Sequence, residues 1–171
     1  MSRSGINSTT IVNKHGTLAM RRIALIALLF ASQTAMARML PDGGVTVQEV
    51  AASLQAKGYQ TEITTDKDGD PLIRSMSEGA KFSVWFYECK GNPRCHSYQF
   101  ASGFSGAGTS PQQVAEWNRT KRFGRVYLDR QNDPWVEMDV DVEHGATTEA
   151  LTNNVDRWLL VMSTFRKYIG R

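Results

Sequence analysis

Phe82-Ser83-Val84-Trp85-Phe86-Tyr87-Glu88-Cys89, then Lys90-Gly91-Asn92-Pro93-Arg94, then Cys95-His96-Ser97-Tyr98-Gln99-Phe100-Ala101-Ser102-Gly103-Phe104 form one continuous stretch. Two runs rich in aromatic residues and separated by a Gly-Asn-Pro turn predict an antiparallel hairpin. Setting Cys89 opposite Cys95 fixes its register: Tyr87 faces Ser97, Phe86 faces Tyr98, Trp85 faces Gln99 and Val84 faces Phe100. Alternation then sends Phe82, Val84, Phe86, Tyr98 and Phe100 to one face and Trp85 and Tyr87 to the other. Cross-strand cysteines suit disulfide geometry, and C-x5-C is not the C-x-x-C spacing that lowers a thiol pKa. A structural Cys89–Cys95 bridge is therefore expected, stabilising by about 2 kcal/mol.

Working outward, Thr46-Val47-Gln48-Glu49 is a capping box, in which hydroxyl and carboxylate satisfy each other's free backbone amides. The helix it starts runs to about Lys57 on a stripe of Val47, Val50, Ala51 and Leu54, closed by Gly58. Tyr59 to Thr65 and Pro71 to Met76 read as a hairpin around Asp66-Lys67-Asp68-Gly69-Asp70. On the other side, Ser110-Pro111-Gln112-Gln113 supplies an N-cap, a first-turn proline and an N3 glutamine for a helix through Trp117 to about Lys121. A third hairpin pairs Gly124–Asp129 with Trp135–Val142, turning Val136, Met138, Val140 and Val142 inward and Tyr127 and Trp135 outward. Leu151, Val155, Trp158, Met162, Phe165 and Ile169 form the stripe of a final helix from about Thr148 to Ile169. The order α-β-β-β-β-α-β-β-α predicts an α+β domain, an antiparallel sheet with helices on one face. The segments 46–76 and 111–142 look like a faint repeat sharing Asp-Pro at the turn.

The 171 residues, 41% hydrophobic and 22% charged, exclude collagen-like, coiled-coil-only and disordered chains. The net charge of +3 resides in the leader: residues 1–37 hold Arg3, Lys14, Arg21 and Arg22 and no acid, leaving 16 basic against 17 acidic residues. From Met20, the expected start, Arg21-Arg22 precede the apolar run Ile23 to Ala31, and Ala35-Met36-Ala37 place small residues at −3 and −1. That is the pattern of a secretory signal cleaved after Ala37. The run is too short for the roughly 20 residues that span a bilayer, so no stable membrane insertion is expected after cleavage. The expected layout is a 1–37 leader, a 38–44 linker and a domain over 45–171, periplasmic or secreted.

Once these motifs are placed, the chain resembles the YbjN family, described as bacterial sensory-transduction regulators with a fold similar to type III secretion chaperones. The resemblance covers about residues 45–169. It is carried by Gly69-Asp70-Pro71-Leu72-Ile73, by Phe82 to Cys89, by Trp158-Leu159-Leu160 and most specifically by Glu116-Trp117-Asn118-Arg119-Thr120-Lys121-Arg122-Phe123-Gly124-Arg125. It implies a chaperone-like fold and a non-enzymatic interaction role, and it transfers no catalytic residue.

Other chemistry fares poorly. Zinc would need Cys89, Cys95, His96 and His144 to converge, and alternation turns His96 away from Cys95. Asp66, Asp68 and Asp70 have calcium-loop spacing, but Pro71 and Ser77 stand where an EF-hand needs glycine and glutamate. Gly103 to Gly108 lacks the Lys-Ser or Lys-Thr of a phosphate loop and reads as a flexible connector. Arg119, Lys121, Arg122 and Arg125 read as a solvated basic run at a helix C-terminus, and the near-neutral remainder gives no support for nucleic acid. No nucleophile–base–acid set, metal or cofactor is assigned. The outward aromatics Trp85, Tyr87, Tyr127 and Trp135 mark a surface for a protein partner or for a second copy in a homodimer. The expected function is an exported, non-enzymatic protein-binding domain, chaperone-like or adaptor; the alternatives are a small ligand- or calcium-binding protein using loop 66–70, or a small hydrolase.

Overall fold

The computed structural model describes residues 37–89, 91 and 93–171. The start at Met20, the apolar run and the rest of the leader before Ala37 lie outside them.

The described chain runs β1 (Val45–Thr46), α1 (Val47–Ala56), β2 (Thr61–Thr65), β3 (Pro71–Ser77), β4 (Ala80–Tyr87), β5 (Arg94–Cys95), β6 (Ser97–Gly103), α2 (Pro111–Thr120), β7 (Arg125–Leu128), β8 (Pro134–Asp141) and α3 (Thr148–Tyr168). Six strands form an antiparallel sheet in the order β2-β3-β4-β6-β8-β7. The α+β class and the expected sequence of long elements hold. The central hairpin has the expected register, Val84 opposite Phe100, Trp85 opposite Gln99, Phe86 opposite Tyr98 and Tyr87 opposite Ser97. Both capping boxes are closed, Thr46 with Glu49 and Ser110 with Gln113, so each helix begins where backbone amides would otherwise go unpaired.

The ladder does not continue to the cysteines, as the single-hairpin reading had it. Glu88 takes a left-handed φ of 58°, and Cys95 leaves β4 to pair with Val45, as Arg94 does with Thr46, in a separate two-stranded ribbon. The disulfide between Cys89 and Cys95 is present and joins the end of the large sheet to that ribbon. Arg94 fastens the same corner: Nε donates to the Gly44 carbonyl (3.1 Å), Nη2 to that of Pro41 (3.1 Å), and Nη2 pairs with Glu49 Oε2 (3.1 Å). Gly44 is required here, with φ of 100° and no room for a side chain, since a Cβ would sit 2.1 Å from the Cys95 carbonyl oxygen.

The core lies between the sheet and the helices. Phe82, Val84, Phe86, Tyr98, Phe100, Val136 and Met138 are buried on the helix-covered face. Along α3 the stripe Leu151, Val155, Trp158, Met162 and Phe165 is buried with them. Trp158 stacks on Phe100 at 5.4 Å and meets Phe82 edge-on, while Phe165 packs edge-on against Trp117 of α2 at 5.0 Å and against Phe104. The glycine-rich segment 103–108 is pinned rather than loose: Phe104 is buried, its amide donates to the Pro134 carbonyl, and Gly106 donates to Asp133 Oδ1 (2.7 Å). Residues 38–44 also pack on the domain, with Leu40 buried and Arg38 exchanging hydrogen bonds with Thr148. Among the described residues no helix is long and apolar enough to cross a membrane.

Candidate functional site

The sheet face turned away from the helices is built from rows of directly opposed residues. Leu72, Trp85, Gln99 and Asp139 form one row across β3, β4, β6 and β8. Arg74, Ser83, Ala101, Glu137 and Arg125 form the next, and Gly103, Trp135 and Tyr127 a third. Tyr87, Ser97 and Asp141 complete the far end. All four aromatics singled out from alternation lie on this face. Tyr87 and Tyr127 are 44% and 39% exposed, and Trp85 and Trp135 are half-buried.

They do not meet as one patch. Trp85 and Tyr87 occupy one end on β4, Tyr127 and Trp135 the other on β7 and β8, two strands away. A polar chain spans the gap. The Tyr87 hydroxyl donates to Gln99 Oε1 (3.4 Å), Gln99 Nε2 to Asp139 Oδ1 (2.6 Å), Arg125 Nε to Glu137 Oε2 (3.0 Å) and the Tyr127 hydroxyl to Glu137 Oε1 (2.9 Å). Arg125 also lies 3.9 Å from Asp139 and so joins the two halves. Gln99 and Glu137 are buried within this face although no helix covers them. Burying a carboxylate is costly unless it is paired and hydrogen-bonded, and Arg125 and Tyr127 together meet that requirement.

The phenols record the same arrangement. Burial, reinforced by the Glu137 carboxylate that its hydroxyl touches, pushes Tyr127 up to about 12. Burial followed by the charges of Glu137 and Asp139 raises Tyr87. Both hydroxyls are therefore held as neutral donors. Trp135 donates from Nε1 to Asp129 Oδ2 (3.1 Å), and its indole lies across Gly103, where a Cβ would come within 2.5 Å of the ring. Beside Tyr87 a small cavity of about 210 Å³ is walled by His96, Asp139, Asp141 and Glu143.

The motif residues serve several ends. Trp117 is buried and donates from Nε1 to the Gly124 carbonyl (3.0 Å). Asn118 binds both the amide and the carbonyl of Val126, and Gly124 is where a Cβ would lie 2.4 Å from Val161. Arg125 belongs to the open face, which corrects its reading as part of one solvated basic run with Arg119, Lys121 and Arg122. Arg119 pairs with Glu116 in the same helix, and Arg122 and Phe123 stay outside at the turn. Asp70 and Pro71 close the first hairpin turn, where Asp66 Oδ1 accepts from the amides of Asp68 and Asp70. That use of Asp66 leaves the loop as a turn held by its own backbone. Cys89 and Cys95 spend their sulfurs on each other, so they supply no thiolate to a metal set with His96 and His144, and His144 is exposed. Among the described residues no three His, Cys, Asp or Glu side chains gather to hold a metal ion.

What sequence reasoning missed is the polar chain. Gln99, Asp139 and Glu137 were legible as outward-facing positions, but the pairing of Glu137 with Arg125 depends on the β7–β8 register.

A family model, YbjN, described as "Putative bacterial sensory transduction regulator", matches residues 46–171. A search of curated proteins returned no match.

Proposed function

The chain belongs to the YbjN family, and from that membership and the geometry of the open sheet face we propose that it is an exported regulatory adaptor that works by binding a protein partner on that face. The observation that carries this reading is the pairing of exposed aromatics with a fixed polar framework: Tyr87 and Tyr127 stand out of a sheet whose Gln99, Glu137 and Asp139 are already tied down. Large rigid aromatics with a polar rim are the composition of binding hot spots, because they bury area with little loss of side-chain freedom. The face needs no chemistry of its own for this role, so the reading is non-enzymatic. Export is supported by the Ala35-Met36-Ala37 leader pattern and by a disulfide, which persists in oxidising compartments. A chaperone-like function follows if the partner is bound as a client, and a signalling one if it is a receptor domain.

The test is crosslinking in intact cells followed by mass spectrometry, with thermal melts of the same variants. Trp85→Ala and Trp135→Ala are expected to lose the crosslinked partner while still folding. Val84→Ala and Met138→Ala, on the helix side, are expected to cost on the order of 1–4 kcal/mol. The reading fails if both tryptophan variants crosslink as the wild type does, or if they unfold like the core variants. Retention of residues 20–37 on a membrane-embedded product would sink the export assignment separately.

A further inference from the structure

The helical side of the molecule carries a second exposed feature that the open face does not explain. Phe123 has φ of 71°, a conformation that is a genuine outlier for a bulky side chain and is retained mostly where function requires it. Its ring is 56% exposed. The guanidinium carbons of Arg122 and Arg157 each lie 4.9 Å from its centroid. One ring thus holds two cations from different elements, the turn after α2 and the middle of α3. Among the described residues neither arginine has a carboxylate within ion-pair distance; Arg157 donates instead to Asn154 Oδ1 (2.7 Å). Lys121 precedes Arg122, and Leu160, 66% exposed, lies one turn along α3 from Arg157.

Two guanidiniums held over one aromatic ring, with no carboxylate paired to either among the described residues, offer positive charge that an anion can neutralise. We propose that the Arg122–Phe123–Arg157 cluster, with Leu160 beside it, docks an acidic and partly apolar peptide segment of a partner protein. Carboxylates of the segment pair with the two guanidiniums, and an aliphatic or aromatic side chain lies against Phe123 and Leu160. An exposed leucine adds nothing to a phosphate backbone. The domain outside the leader has 16 basic against 17 acidic residues, so the positive charge is local and a long polyanion would meet repulsion elsewhere. Charge complementarity and the apolar flank therefore favour peptide over nucleic acid.

The test titrates the mature chain into a fluorescein-labelled peptide of alternating glutamate and leucine, read by anisotropy, with a glutamine–leucine peptide as control. The acidic peptide is expected to bind and the control to bind much more weakly. Arg122→Gln and Arg157→Gln are each expected to weaken binding about tenfold, the loss typical of one charge-assisted contact, with melting temperatures unchanged. Phe123→Gly, which suits the backbone conformation, is expected to weaken binding while the chain still folds. Wild-type affinity in all three variants overturns the proposal. So does an equal or tighter, arginine-dependent affinity for a single-stranded oligonucleotide or for phosphatidylserine vesicles. Peptide binding lost on Trp85→Ala but not on Arg122→Gln would overturn this site and leave the open-face reading standing.

Discussion

Asn118 donates from Nδ2 to the Val126 carbonyl and accepts at Oδ1 from the Val126 amide, both at 2.9 Å. Its amide group thereby does for β7 what a neighbouring strand would do. Asn118→Ala should leave both backbone groups without a protein partner and cost about 1–3 kcal/mol in a denaturant melt, whereas Asn118→Asp keeps the acceptor and should cost less. Two buried tryptophans make a paired test. Trp117 Nε1 bonds to Gly124, while Trp158 Nε1 has no partner among the described residues. Replacing each with Phe removes similar volume, so Trp117→Phe should be the more damaging by about 1 kcal/mol. Tyr127 and Tyr98 are both raised to about 12, chiefly by burial. A raised phenol favours the neutral form in the fold, so its contribution is complete below the ordinary value near 10 and is lost as pH rises toward 12. Stability should therefore fall across that alkaline window, and Tyr127→Phe should remove one late step from the phenolate absorbance titration. Asn118 and Trp117 stood out in the sequence as motif members. Val126 did not, and Gly124, a motif member itself, becomes the partner of Trp117 only when the chain returns from α2 into β7.

The faint repeat seen in the sequence has a physical counterpart in two turns of the same construction. Asp66 donates its amide to Asp70, accepts at its carbonyl from Gly69, and accepts at Oδ1 from the amides of Asp68 and Asp70. Asp129 does the same with Asp133, Asn132, Gln131 and Asp133. The fourth residue is left-handed in both, Gly69 at 89° and Asn132 at 60°, and a proline, Pro71 or Pro134, then opens the next strand. An Asp side chain that mimics a backbone turn explains why this residue starts each one. The amide of Asp133 holds the Asp129 carboxyl below the usual carboxylate range, so its support for the turn is present at neutral pH and lost as pH falls through that lowered value. The second turn implies that Asn is acceptable at the left-handed site. Gly69→Asn should melt close to wild type, whereas Gly69→Val should cost about 1–2 kcal/mol. Long elements were legible because period and caps are local properties. The ribbon of β1 and β5 was not: each strand has two residues, and what holds them is Arg94, Gly44 and a disulfide from distant parts of the chain.

At the scale of the molecule, the disulfide and Arg94 lock the start of the domain to the end of its central hairpin. Reduction, or Cys89→Ser, should lower stability by about 2 kcal/mol from loop closure, and the loss should be seen as a shifted thermal melt of residues 38–171 with and without reductant. The two solvent-facing surfaces carry unlike character, aromatic with acidic residues on the sheet and aromatic with arginines on the helices, and only the first could be anticipated from strand alternation. Phe123 and its neighbour Arg122 could be named from the sequence, but not the second guanidinium, Arg157, which comes from α3. The sheet's margins differ as well. At β7 the outward groups of Val126 are already occupied by Asn118, while among the described residues β2 at the opposite margin has no strand beyond it. In the language of polymer chemistry, Asn118 is a chain stopper placed at Val126: a strand added there would find both backbone groups already taken, as a growing chain finds its end capped.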